Sequence, residues 1–172
     1  MLYHFSEEHN IEIFQPRKHL SFPDRQPMVW AIDKDRSPLY LLPRDCPRIG
    51  FWATLDTTQS DREKYLHMAS SEKIIVVEGR WIDRIQNTKL YKYSLNDARF
   101  AMMDEGAGYF ISYETEIPLK IEEVGSLLDA LVEENVELRI VPSLQPLYEQ
   151  LPQSTLHFSM IRMRNAKLMH RD

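Results

Sequence analysis

Short runs of apolar residues, broken by polar residues and prolines, set the pattern of this chain. Runs that alternate between apolar and polar positions, or that are rich in β-branched residues, predict strands. The predicted strands cover residues 2–5, 28–32, 49–54, 73–78, 90–95, 109–113, 117–124 and 136–141. The run Ile74-Ile75-Val76-Val77 is typical of a strand that is buried on both faces.

Helices are predicted between these strands, and all of them are short. Residues 125–135 give the clearest helix, because their leucines fall on one stripe. Shorter helices are predicted at 37–42, at 60–70, around 81–85 and between Pro142 and Pro146. The tail from about residue 155 is predicted to be helical, with a basic end.

The interleaving of strands and helices predicts an α+β fold. We expect a single domain over residues 1–172, with a central mixed, mainly antiparallel or split sheet and short flanking helices. The strands at 109–113 and 117–124 follow each other across an acidic turn and are predicted to pair. No internal repeat or linker divides the chain.

Composition and charge narrow the classes of partner. With a net charge of -5, the chain as a whole is repelled by phosphate backbones and anionic lipid, so binding to nucleic acid would need a local basic patch. No stretch approaches the length of a membrane-spanning helix, and no signal peptide opens the chain. The single cysteine, Cys46, excludes an internal disulfide and favours a reducing compartment, so we expect a cytoplasmic protein.

Candidate site residues fall at strand ends and in rigid loops. His4 lies in an apolar strand, where it is either a ligand-facing group or a hydrogen-bonded core histidine. Arg17, Arg44 and Arg48 lie in proline-bounded loops, where they could bind an anion; the alternative is a solvated loop or a salt bridge to Asp45. No metal is expected, because no ligand spacing joins the histidines.

Aromatic and acidic residues supply the other candidates. Large aromatic side chains in and near the early strands could stack on a ligand ring or fill the core: Trp30, Trp52, Tyr40 and Tyr109. Glu114 and Glu116 follow Ser112-Tyr113 at a strand end, where two carboxylates on one face raise each other's proton affinity; the alternative is a solvated acidic turn.

Several segments together resemble an uncharacterised bacterial family that carries a domain of unknown function. They are Leu2-Tyr3-His4-Phe5-Ser6, Val29-Trp30-Ala31-Ile32-Asp33, Pro43-Arg44-Asp45-Cys46-Pro47-Arg48 and Ile161-Arg162-Met163-Arg164-Asn165-Ala166. More distantly, the chain resembles the ADP-ribosyltransferase superfamily, which includes RNA 2'-phosphotransferases. The shared features are a first-strand histidine, a tyrosine after the second strand, and a late Ser-Tyr-Glu strand followed by Ile117-Pro118-Leu119.

The superfamily resemblance implies NAD as cofactor and a cleft between the first strand and the late Ser-Tyr-Glu strand. It implies that His4 binds the ribose and amide side of NAD, that Tyr40 stacks on nicotinamide, and that Glu114 or Glu116 orients the ribose. Further ligand-binding residues are predicted to be Ser6, Arg17, Arg44, Arg48 and Trp52.

Three functions stay open from the sequence. The first is an NAD-dependent ADP-ribosyl or 2'-phosphoryl transferase that uses His4, Tyr40 and Glu114. The second is a non-catalytic module that binds a nucleotide-like or other anionic small molecule. The third is an interaction protein that uses the basic C-terminal segment.

Overall fold

The computed structural model describes residues 1–18 and 23–167, and its contacts group them into two compact units. The first unit comprises Met1–Leu41 and Lys89–Gly125, and the second comprises Leu42–Thr88 and the described residues from Ser126 onward. Each unit contains its own sheet. The α+β class is therefore confirmed, and the predicted central sheet, mainly antiparallel or split, is divided into two sheets of six and four strands.

Most of the predicted strands and helices form, although the strands at residues 101–104 and 157–161 were not predicted. The strands are β1 (Leu2–Ser6), β2 (Val29–Ile32), β3 (Arg48–Trp52), β4 (Lys73–Glu78), β5 (Tyr91–Leu95), β6 (Ala101–Asp104), β7 (Tyr109–Ser112), β8 (Lys120–Glu123), β9 (Val136–Val141) and β10 (His157–Ile161). The α-helices are α1 (Gln59–Leu66), α2 (Ile82–Asn87), α3 (Leu127–Glu133) and α4 (Gln145–Gln150). A short 3-10 helix, Ser37–Tyr40, follows β2 and has a proline near its start.

The first unit is built on a six-stranded sheet in the order β6-β7-β2-β1-β5-β8, and every pair is antiparallel. One face of this sheet forms a small core from Leu2, Val29, Ala31, Tyr93 and Leu95. The ring of Phe14 packs on this core, and the Tyr93 hydroxyl donates to the backbone oxygen of Glu8 at 2.6 Å. The segment after β1 therefore covers this face.

The second unit has a four-stranded sheet in the order β10-β3-β4-β9, in which only the β4–β9 pair is parallel. The central strands β3 and β4 are buried almost throughout, as the β-branched run predicts. Two of its helices begin at hydroxyl caps: Thr58 Oγ1 accepts from the Asp61 N–H, and Ser126 Oγ accepts from the Asp129 N–H. The helix predicted at 60–70 therefore begins one residue earlier, at Gln59, and ends at Leu66.

Two predictions of local structure are wrong. The tail from about residue 155 was predicted to be helical, yet residues 157–161 form β10, because alternating Phe158 and Met160 suit a strand and β3 offers it a partner. The basic residues His170 and Arg171 of that tail lie outside the described residues. The predicted 109–113 and 117–124 pair also does not form, because β7 pairs with β2 and β6, whereas β8 pairs with β5.

The predicted cleft between β1 and the Ser-Tyr-Glu strand does not form within the first sheet. Strand β2 lies between them and pairs with both, as the register Tyr3↔Ile32↔Tyr109 shows. A sheet with three consecutive paired strands leaves no gap between the outer two.

Candidate functional site

Aromatic side chains, interspersed with the buried Ile32 and Ile111, lie on the face of the first sheet opposite its small core. Alternation along β1 and the cross-strand register place Tyr3, Phe5, Trp30 and Tyr109 on this face. Tyr40, from the 3-10 turn after β2, packs against Tyr109. All five side chains are half-buried, and we call this set the aromatic face.

Three rings of the aromatic face, those of Trp30, Tyr40 and Tyr109, contact one another. Trp30 and Tyr109 meet edge to face, with their ring centroids 5.5 Å apart and their planes at 89°. The Tyr40 hydroxyl donates to the Tyr109 hydroxyl at 2.7 Å. The Lys92 ammonium lies 5.7 Å from the centroid of Tyr3, and Lys92 is directly opposite Phe5 in the β1–β5 register. The face therefore combines preorganised rings with one nearby cation.

A tight turn at Gly108 positions two of these aromatic residues. Gly108 has a φ of +66°, and its backbone oxygen accepts from the Asp33 N–H at 3.1 Å. Asp33 in turn accepts from the Arg36 N–H at 2.7 Å, which starts the turn that leads to Tyr40. The conformation that Gly108 permits thus fixes both Tyr109, the next residue, and the segment carrying Tyr40.

His4 lies on the opposite face of the same sheet. Its Nδ1 is 3.0 Å from the backbone oxygen of Trp30, and its ring lies 4.8 Å from the ring of Phe14. Because adjacent strand residues point to opposite faces, His4 cannot share a surface with Tyr109 and its partner Tyr40. The structure therefore places His4 and Tyr40 on opposite sides of the first sheet, and the roles of His4, Tyr40 and Glu114 in binding NAD stay predictions.

The two carboxylates after β7 have different environments. Glu114 is exposed, with 67% of its side chain accessible, and pairs with Arg99 at 3.1 Å. Glu116 is 3% exposed, accepts from the Ser112 hydroxyl at 2.6 Å and pairs with Arg99 at 3.0 Å. Its backbone N–H and oxygen both bond to Phe14, the residue that covers His4. Of the two carboxylates left open by the sequence, Glu116 is the one held in place.

Ser6 and Arg17 are the other ligand-binding candidates of the first unit. Ser6 is buried, and its hydroxyl oxygen accepts from the Glu8 N–H at 3.1 Å. Arg17 is exposed, and its backbone pairs with Met28. Neither contact points to a common ligand, so their binding roles stay predictions.

The remaining candidates belong to the second unit. Arg48 is 2% exposed and donates to the backbone oxygens of Pro43 and Cys46, at 3.3 and 2.9 Å. Trp52 is buried and packs edge to face against His157. Arg44 is exposed, and its backbone oxygen accepts from the Arg162 side chain at 3.3 Å. The contacts of Arg48 and Trp52 hold the fold of this unit, and their roles in binding stay predictions.

Cys46 is fully buried among these residues. Burial raises the pKa of its thiol to about 11, and the charge of Glu78 also raises it, although nearby Arg48 lowers it. Because the thiolate is the nucleophile, a thiol with this pKa is nearly unreactive at neutral pH.

The described residues were also compared with the requirements of a metal site, a ligand pocket and a membrane-spanning helix. Within residues 1–18 and 23–167, no group of three His, Cys, Asp or Glu side chains is placed to hold a metal ion. A surface depression of about 630 Å³ in the second unit is lined by Arg62, but that guanidinium already donates to Thr54 and Thr57. No helix in the described part of the chain is both long and apolar enough to cross a membrane.

The sequence patterns missed two features of the first unit. Tyr3 and Phe5 were not recognised as candidates, although their i, i+2 spacing flanking His4 placed them together on one face. Arg99 was missed because only the fold brings it to Glu114 and Glu116, which lie 15 and 17 residues away in the chain.

Comparison with known proteins identifies a family for the chain. No curated protein and no solved structure matches it. A family model described as a family of unknown function, DUF6886, matches residues 3–166. This match spans both units and includes the aromatic face, His4 and both carboxylates. The chain therefore belongs to the DUF6886 family of unknown function.

Proposed function

We propose that this protein is a binding module for a nucleotide-like small molecule, with the aromatic face as the surface that receives the ligand ring. The observation that carries the proposal is the grouping of four half-buried aromatic side chains on one face of a single sheet, with a fifth, Tyr40, packed against Tyr109. Stacking on aromatic side chains stabilises a bound base by about 1–3 kcal/mol and tolerates different bases, because every base has a π face.

The arrangement suits a planar ring better than a flexible apolar chain. The edge-to-face contact between Trp30 and Tyr109 fixes both rings before a ligand arrives, so little side-chain entropy is lost on binding. Lys92, beside Tyr3 and opposite Phe5, places a positive charge near the rings, and an anionic group of the ligand would compete for it with Glu122, its ion-pair partner at 3.6 Å. A ligand with one flat ring and one anionic group, as in a nucleotide, matches these two features.

Isothermal titration with AMP, ADP and NAD tests the proposal. The wild type should bind at least one of these ligands, and Tyr109→Leu should weaken that binding roughly tenfold, because it removes one stacking ring. Tyr148→Leu is the matched control, since Tyr148 is a 43% exposed tyrosine on α4, and it should bind as the wild type does. Circular dichroism would establish that both variants are folded. The absence of heat with all three ligands at millimolar concentration would contradict the proposal.

A second candidate function is the NAD-dependent transfer of an ADP-ribosyl or 2'-phosphoryl group, as the superfamily resemblance implies. The observation that favours it is Glu116, a carboxylate fixed by Ser112 and Arg99 on the side of the sheet that carries His4. A fixed negative charge of this kind can stabilise positive charge that develops on a ribose. This candidate uses Glu116 instead of Glu114, and does not require His4 and Tyr40 to meet.

Release of nicotinamide from NAD tests this second candidate. The wild type should release nicotinamide, and Glu116→Gln should slow the release about a hundredfold or more, because the neutral amide no longer stabilises the developing charge. Glu114→Gln is the matched control and should retain most of the activity, since the Glu114 side chain is 67% exposed. Absence of release by the wild type, or equal losses in both variants, would contradict this candidate.

A further inference from the structure

The outer strand of the first sheet, β8, carries an edge with an apolar residue at its centre. Strand β8 is last in the strand order and pairs only with β5 among the described residues. Ile121 lies inside the strand and is 42% exposed. Leu119, the residue just before β8 begins, is 60% exposed. Exposed apolar edge strands are templates for pairing with another strand.

The hydrogen-bonding direction of β8 follows from its register. The Val124 N–H donates to the backbone oxygen of Leu90 at 2.8 Å, so Val124 faces β5. Because backbone groups of an antiparallel strand alternate in direction, Glu122 and Lys120 also face β5. The N–H and C=O groups of Ile121 and Glu123 therefore point away from the sheet, where a further strand would bind them.

This edge is short and charged, but it lacks two other devices that prevent pairing, a proline and an irregular register. At the opposite end of the sheet, β6 carries a register irregularity between Met102 and Asp104, which disrupts a flat edge. Residues 120–123 contain no proline, and their register with β5 runs without interruption. The three charged side chains of β8, Lys120, Glu122 and Glu123, remain, and they decide which strand fits.

We propose that β8 pairs antiparallel with β8 of a second copy of this chain, about a twofold axis at Ile121. In this register the two Ile121 residues exchange both backbone hydrogen bonds, and Lys120 lies directly opposite Glu122 of the other copy. The twofold axis repeats that pair, so each Glu122 also meets a Lys120. Pairs that do not exchange backbone bonds bring their side chains closest, which places the opposite charges in the closest pairs.

The charges select this register over its neighbours. Backbone hydrogen bonds between the two copies form only between residues whose N–H and C=O groups point away from β5. The two strands can therefore slide past each other only to registers in which such residues are opposite one another. A shift that sets Leu119 opposite Ile121 places Lys120 opposite Lys120, and it also needs the Leu119 N–H, which already donates to the backbone oxygen of Ser94 on β5 at 2.8 Å. A shift the other way, which sets Ile121 opposite Glu123, places Glu122 opposite Glu122. Both shifts bring like charges together, so only the Ile121-centred register is charge-complementary.

Charge-swapped variants test this dimer by sedimentation. The wild type should approach twice the 20.4 kDa chain mass as its concentration rises. Lys120→Glu and Glu122→Lys should each raise the dimer dissociation constant about tenfold or more, because each variant sets two like-charge pairs across the interface. Mixing the two variants in equal amounts should restore a dimer, since each then meets its complement. Glu133→Lys, an equal charge change on an exposed α3 residue, should leave the dimer unchanged.

A proline variant, which removes one backbone N–H, distinguishes a dimer that forms by strand pairing from one that forms through another surface. Ile121→Pro removes an N–H that points away from β5, so the sheet within the chain should survive while the dimer dissociates. Circular dichroism and thermal melting would confirm the fold of this variant. A wild type that stays monomeric at every concentration, or a dimer that survives both charge variants without mixing, would overturn the proposal.

Discussion

Replacing Glu78 with leucine should lower the free energy of unfolding by about 3–5 kcal/mol. Glu78 is fully buried at the end of β4. Its Oε1 accepts from the Lys167 N–H at 2.8 Å and from the Leu144 N–H at 3.5 Å, and its Oε2 accepts from Arg80 at 2.8 Å. Leucine would leave two backbone donors without an acceptor. Urea denaturation measures the loss.

Two control variants show whether the backbone hydrogen bonds of Glu78 or its ion pair with Arg80 contributes more to stability. Glu78→Gln keeps one acceptor oxygen for both backbone donors, so it should cost only about 1–2 kcal/mol. Arg80→Gln removes a half-exposed cation and should cost less than about 1 kcal/mol. Limited trypsin digestion should also cut faster after Lys167 in Glu78→Leu, because the amide of Lys167 is no longer held. Equal losses in the glutamine and leucine variants would contradict this account.

Replacing Gly108 with alanine should lower the free energy of unfolding by about 2–4 kcal/mol. A Cβ there would lie 2.5 Å from Arg36 Cγ and 2.6 Å from Asp33 Oδ2, and the φ of +66° disfavours any L side chain. The clashing atoms belong to Asp33 and Arg36, in the turn that leads to Tyr40, and Gly108 itself directly precedes Tyr109. We therefore expect the binding of a ligand at the aromatic face to weaken together with the stability.

Gly106→Ala is the matched control for Gly108→Ala. Gly106 lies two residues earlier in the same loop, and a Cβ there would meet only Asp104 Oδ1, at 3.4 Å. This is close to ordinary contact, so the control should change stability by less than about 1 kcal/mol. Thermal and urea denaturation of both variants compare the two positions. A Gly108→Ala variant as stable as the wild type would show that the turn relaxes without cost.

Local patterns predicted most elements of this fold but not their neighbours in space. The β-branched run at residues 74–77 predicted β4 because its signal is continuous in sequence. The pairing of β8 with β5 could not be predicted in this way, since Tyr93 and Ile121 are far apart in sequence. The tail from about residue 155 was predicted to be helical, although the alternation of Phe158 and Met160 is typical of a strand.

The same limit applies to the candidate site. The sequence placed His4, Tyr40 and Glu114 together by their order along the chain. Order does not determine which face of a sheet a side chain occupies, and a shift of one residue moves it to the other face. His4 and Tyr109 are separated in this way. The choice between Glu114 and Glu116 depends on burial, which only the contacts with Ser112 and Arg99 establish.

The interleaved path of the chain affects how the protein is made. The first unit uses residues on both sides of Leu42–Thr88, so β1 has no β5 partner until the ribosome has added Leu95. Closing so long a loop is entropically costly and slows strand pairing. The β1 edge is therefore exposed during much of translation, when chaperones that bind extended apolar segments would act on it. A fragment that ends near residue 88 would contain neither sheet complete.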